Sequence, residues 1–185
     1  MPLPFILAGA ALGALFLHNQ EKSHLKRQDR ERHISKSGAM GRDPSELHPS
    51  GKYTQMVPGS IVACEVYNAF IHTGIVVDSN TIVELHGNGL VRAISPQRLI
   101  AQRSGTHIFI ACDQSSNPIV IEESIDKAAS DIFSYHEYEL FNANCYRHTW
   151  RWLCGEDRAI KSFEEFNRLL SVLAKQPIYW DRVSL

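Results

Sequence analysis

Cys145 follows Asn144 at the head of an amphipathic, Trp-rich run over residues 146–154, and two histidines, His72 and His86, stand far upstream in apolar, strand-like stretches. A thiol at a helix start lies near the positive end of the helix dipole, and an imidazole beside it takes its proton. Together they supply a thiolate near neutral pH, the reagent for attack on a carbonyl carbon. Backbone N–H groups of the first helical turn would also donate to an oxyanion, a contact worth roughly 3–4 kcal/mol per donor. His72, between Ile71 and Thr73, is expected to project from a rigid strand as the general base. His86, closing the next apolar segment, is expected beside it as the orienter that sets its tautomer. Glu84, Asp78 and His148 are alternative orienters, although their usual places are surface or structural ones.

The elements that must position these groups follow from periodicity and turn residues. Pro58-Gly59 opens the compact part with a turn, and residues 60–67 read as a buried strand. Residues 70–78 and 81–85 form two more strands around the turn Asp78-Ser79-Asn80, and Gly87-Asn88-Gly89 precedes a fourth over 90–94. This is the pattern of an antiparallel meander. A short helix or turn follows from Ser95-Pro96 to Ile100, then a strand over 107–112. After Pro118, Ile121, Ile125, Ala128, Ala129, Ile132 and Phe133 recur at helical spacing, predicting a helix that ends near Tyr135. A second helix starts at Asn142 or Asn144 and stops at Gly155; Ser162 and Glu165 form a capping box for a third, striped by Phe166, Leu169, Leu170 and Leu173. Tyr146, His148, Trp150 and Trp152 read as core rather than pocket lining. The class is α+β, an antiparallel sheet packed with helices.

Composition narrows the function. The chain has 185 residues, 44% of them hydrophobic, enough for one catalytic domain with a genuine core. Nineteen basic against twenty acidic residues leave a net charge of -1, and the basic residues near the N-terminus alternate with Glu21, Asp29 and Glu31 without interleaved aromatics, so no nucleic-acid partner is expected. The four cysteines show neither a CxxC pair nor zinc-finger spacing, which predicts free thiols, a reducing compartment, and no metal or cofactor.

Residues 3–17 are an unbroken apolar run, followed by Lys22, Lys26, Arg27, Arg30, Arg32 and Lys36. The run predicts a membrane-anchoring helix over residues 1–18, somewhat short of a roughly 30 Å hydrocarbon core, with the domain held on the cytoplasmic side by the basic flank. Residues 19–55 are expected to be a charged linker or stalk, and His18, His24, His33 and His48, in and beside it, are expected to be solvated. The catalytic domain is then 56–185.

The blocks Pro58-Gly59-Ser60-Ile61-Val62, His72-Thr73-Gly74-Ile75-Val76-Val77, His86-Gly87 and Asn144-Cys145 together resemble the LRAT-like (lecithin:retinol acyltransferase-like) branch of the NlpC/P60 superfamily. The resemblance spans roughly residues 56–155. Tyr146-Arg147 stands where Glu-His is common, and Thr73 where an aromatic often follows the first histidine. What it implies is a circularly permuted papain-like fold with Cys145, His72 and His86 as the catalytic set, an acyl-thioester intermediate and no cofactor. It implies a membrane-associated thiol acyltransferase or hydrolase acting on an acyl-bearing lipid, such as a phospholipid, or on an amide. Two alternatives are a cysteine peptidase of the NlpC/P60 kind and a catalytically inactive, membrane-tethered binding module.

Overall fold

The computed structural model describes residues 53–67, 70–101 and 103–185. Seven strands form one sheet: β1 (Tyr53–Thr54), β2 (Ile61–Val66), β3 (Phe70–Asp78), β4 (Thr81–Leu85), β5 (Val91–Ile94), β6 (Ile108–Cys112) and β7 (Tyr179–Val183). Their order is β1-β7-β6-β2-β3-β4-β5, antiparallel throughout except for the parallel pair β1/β7. The expected meander is β2 to β5. β6 adds on the free side of β2, and β7, which the hydrophobic pattern did not reveal, closes on β6.

Four helices are described: α1 (Pro96–Ile100), α2 (Glu123–Ser130), α3 (Cys145–Cys154) and α4 (Phe163–Ala174). Strand alternation divides the apolar residues between two faces. Ile61, Ala63, Ile75, Val83, Leu85 and Phe109 share one core with Ala128 of α2, Tyr146, Trp150, Trp152 and Leu153 of α3, and Phe166 and Leu170 of α4. Val62, Cys64, Val76, Ile82, Ile108 and Ile110 form a second core with Leu99 of α1 and Val183 of β7. The α3 aromatics are buried, as their spacing predicts.

Local chemistry accounts for most helix limits. The Asn144 side chain accepts from Arg147 N–H and Gly155 takes a left-handed conformation at the other end, so α3 runs between its predicted caps. At α4, Ser162 Oγ accepts from Glu165 N–H, but the Glu165 carboxylate reaches Lys161 N–H, one residue further out than a closed capping box. α2 stops at Ser130, short of the predicted Tyr135. Phe133 there has a positive φ and is exposed, and its segment instead pairs by backbone hydrogen bonds with Val91. A β-ladder contact has overridden helical periodicity.

The membrane reading is corrected. No helix among the described residues is long and apolar enough to cross a membrane. The longest, α4, has 12 residues and rises only about 18 Å against a hydrocarbon core of roughly 30 Å. The apolar run 3–17 lies outside the described residues, so neither a transmembrane helix nor a membrane partner is retained. The membrane-associated localisation and the preference for phospholipid, which leaned on that anchor, go with it.

Candidate active site

The site is built where the start of β3 meets the N-terminus of α3. Three successive β3 residues hold the helix end. Ile71 O accepts from the Tyr146 hydroxyl, His72 and Thr73 act on the Cys145 thiol to lower it, and Thr73 Oγ1 lies 3.0 Å from Thr149 Oγ1 on the next turn. Asn144 locks the approach from the other side. Its Nδ2 donates to Leu140 O and Ile160 O at 2.9 and 2.8 Å, while its Oδ1 caps the helix. Cys145 therefore sits at a fixed helix start, only 4% exposed.

His72 and Cys145, 73 positions apart in sequence, act on each other electrostatically, each favouring the other's charged form. On its other side the His72 ring uses Nε2 to reach Glu84 Oε2 at 2.6 Å. The orienting contact thus comes from a carboxylate on the neighbouring strand. The β3/β4 register pairs Ile75 with Val83, and continuing it puts Glu84 opposite Gly74, diagonal to His72 on one face. Gly74 is needed for close strand approach: a Cβ there would lie 2.8 Å from Val83 O. His86 sits beyond the end of β4, in a tight turn closed by its own backbone bonds to Leu90 and Gly89. Its Nδ1 lies 2.7 Å from Asn88 Oδ1, so its ring serves the turn.

Glu84 is fully buried, and three cationic groups converge on it. Arg92, directly opposite on β5, places Nε and Nη2 at 2.8 and 2.7 Å from Oε1, and Arg103 Nη2 lies 2.8 Å from Oε2 beside His72. Burial alone would raise the carboxyl, but His72 and Arg103 outweigh it and hold Glu84 well below the usual carboxylate range. Burial likewise opposes a charged imidazole. The negative charges of Cys145 and Glu84, with their hydrogen bonds, nevertheless push His72 up to about 10. Against the same burial, the His72 charge, its hydrogen bond, and the Thr73 N–H and hydroxyl bring the Cys145 thiol below its ordinary 9.0. The three groups thus each favour the charged form of their neighbour.

Two other thiols make the contrast. Cys64, paired with His72 across β2/β3, accepts from Arg103 Nη1 at 3.2 Å, yet burial pushes its thiol up despite the His72 and Arg103 charges. Burial and the neighbouring Asp181 push Cys112 up as well. All four cysteines are free, as the sequence predicts. Cys145 is lowered where Cys64 and Cys112 are raised.

Tyr138 is the residue that sequence reasoning missed. Burial and the Cys145 charge push its phenol well above its ordinary range, which puts it in the neighbourhood of that thiol. It lies in the segment between α2 and α3, where Phe133 N–H donates to Val91 O of the β4/β5 hairpin, Val91 N–H donates to Ser134 O, and His136 N–H donates to Gly89 O. Gly89 has a positive φ, and a Cβ on it would collide with His136 O, so a hairpin glycine seats the segment that carries Tyr138. A lone tyrosine in a polar stretch carries no pattern that would mark it. No family model matches the chain, and no curated protein matches it in sequence.

Proposed function

We propose that the chain is a thiol hydrolase cleaving an amide bond, a cysteine peptidase of the NlpC/P60 kind on a permuted papain-like scaffold. The observation that carries this reading is the buried 2.6 Å contact of His72 with Glu84, with His72 acting electrostatically on Cys145 at a helix N-terminus. The Cys145 thiolate attacks the carbonyl carbon, forming a C–S bond while the carbonyl π pair moves to oxygen. The Tyr138 hydroxyl, in the neighbourhood of Cys145, donates to that oxyanion. Collapse breaks the C–N bond, His72 gives its proton to the departing amine, and an acyl-thioester remains on Cys145. Water then adds, His72 receives its proton, and acid and thiolate are released.

An amide suits this site better than an ester on electrostatic grounds. An amine leaves poorly unless protonated, and His72 is held as an imidazolium up to about 10, so the proton is in place before attack. The test is turnover of a panel of short peptides, with acyl adducts located by mass spectrometry. Hydrolysis with an adduct on Cys145, both lost in Cys145→Ala, is the expected result. Turnover that survives Cys145→Ala, or iodoacetamide labelling of Cys64 and Cys145 at equal rates at pH 6, overturns the proposal.

A further inference from the structure

Beside the N-terminal half of α3 lies a second group of side chains that the hydrolytic chemistry does not use. Asp131 caps the end of α2, His136 sits in the following segment, and His148 lies on the second turn of α3. One ligand atom from each falls within 4.8 Å of the others. His136 Nε2 and Asp131 Oδ1 are 3.4 Å apart, close to the roughly 3.3 Å edge of a tetrahedron with bonds of about 2.0–2.1 Å. The two imidazole centroids are 4.4 Å apart.

His148 supplies the independent observation. It is 5% exposed, and its Nδ1 is buried with no hydrogen-bond partner. A buried ring nitrogen without a partner forfeits its hydration, a cost of about 1–3 kcal/mol, unless something unseen binds it. The other two members are pre-oriented as ligands are. Asp131 Oδ2 is fixed by Arg151 Nη2 at 2.6 Å and Trp152 Nε1 at 3.0 Å, which turns Oδ1 toward the histidines. His136 is held at its backbone by Gly89. Ser134 Oγ lies 2.8 Å from Asp131 Oδ1 and 2.9 Å from His136 Nε2, placed to ligate or to yield to a water.

We propose that Asp131, His136 and His148 form a divalent transition-metal site, best suited to zinc, with Ser134 or a water as fourth ligand. Two imidazoles and a carboxylate are a borderline donor set, which zinc accepts and magnesium or calcium does not favour. Arg151 sits on the carboxylate oxygen turned away from the histidines, so the cation and the guanidinium share Asp131 without meeting. Bound metal would staple the end of α2 and the segment bearing Tyr138 onto α3, a structural role independent of the hydrolytic reading. His136 and His148 are twelve residues apart, a spacing that matches no zinc motif.

The experiment is Co2+ titration of the full-length protein after chelator treatment, followed by its visible absorption, with Zn2+ affinity from chelator competition. One tetrahedral cobalt per chain, displaced by zinc, is expected. His136→Gln and Asp131→Asn, which keep size and polarity, should each lower that stoichiometry by one or weaken zinc binding by at least about 100-fold. The N-terminal histidines remain in both variants and serve as internal controls. Wild-type and variant chains with the same cobalt spectrum and zinc affinity overturn the site, as does a wild-type chain that binds no cobalt.

Discussion

Replacing Glu84 by Gln tests the electrostatic core of the site, because it removes a charge while nearly conserving shape. Glu84 Oε1 accepts twice from Arg92, and Oε2 accepts from Arg103 and His72, so whichever side the amide NH2 takes, it faces donors. The cheaper choice turns NH2 toward Arg92, whose side chain is 28% exposed and can swing into water, and keeps the carbonyl on His72. Position is then preserved and only charge is lost. Two unit charges about 4 Å apart at an effective dielectric constant of about 20 interact by about 4 kcal/mol, roughly a thousandfold in proton affinity. His72, held at about 10 in the native chain, should fall toward neutrality, and the now unpaired Arg103 pushes it the same way. The sign for the thiol follows: with less imidazolium beside it, Cys145 ionises at higher pH. The assay is the pH dependence of Cys145 alkylation by iodoacetamide, read peptide by peptide. Native protein should react on a broad plateau extending well below pH 9, and Glu84→Gln should lose reactivity at pH 6–7 by at least about tenfold while gaining little above pH 10. Superimposable profiles would refute the coupling between Glu84 and the thiol.

Tyr138→Phe removes one oxyanion donor and should lower kcat for amide substrates by about 10²–10³-fold with little change in KM. The same variant should leave urea stability within about 1 kcal/mol. Gly74→Ala brings a Cβ to 2.8 Å from Val83 O, so β3 and β4 must part; a loss of about 1–3 kcal/mol is expected in urea unfolding, with a parallel loss of activity. Glu84 has a folded pKa below its ordinary 4.5, so its contribution to stability is complete above pH 4.5 and drains away as pH falls further. The stability gap between native protein and Glu84→Gln should therefore be constant from pH 5 to 6 and shrink below 4.5, which unfolding curves at stepped pH will show.

The strands from β2 to β6 were legible because each is bounded by turn residues and carries an apolar run. β7 was not, since Tyr179, Trp180, Asp181 and Arg182 carry no apolar alternation; it is a strand because Trp180 packs in the core and β6 offers a free edge. Cys145 and His72 were legible as chemical types in a plausible order, and the helix caps around Cys145 were readable residue by residue. The orienter was legible only as an alternative, Glu84 behind His86. Sequence spacing makes His86 the natural neighbour of His72, and register does put the two nearly opposite. Two local facts decide otherwise: β4 ends at Leu85 so that His86 belongs to a turn, and Glu84 is held inside by arginines from β5 and from the segment after α1. A buried carboxylate with distant cationic partners looks, in one dimension, like any surface glutamate.

Those two arginines also settle which way the proton can move. A single carboxylate beside His72 would compete for the imidazole proton at their 2.6 Å contact, and a proton resting there would leave the ring neutral and the thiol protonated. With Arg92 and Arg103 on its oxygens, Glu84 stays ionised far below neutrality, so in the proposed reaction the proton has no destination except the sulfur, the departing amine or water. Glu84 acts as a fixed charge rather than a relay. Counting thiolate, imidazolium, carboxylate and two guanidinium groups, the resting cluster carries one net positive charge. When negative charge passes from sulfur to oxyanion, that total is unchanged and the field already favours it. It follows that Arg103→Met should do more than loosen packing. It should let Glu84 take up a proton at higher pH and move the acid limb of Cys145 alkylation toward neutrality, whereas Arg92→Met, acting on the more exposed guanidinium and on the oxygen remote from His72, should shift that limb far less. Equal shifts in the two variants would mean that the arginines serve only to bury Glu84, and the directional role assigned to Arg103 would fall.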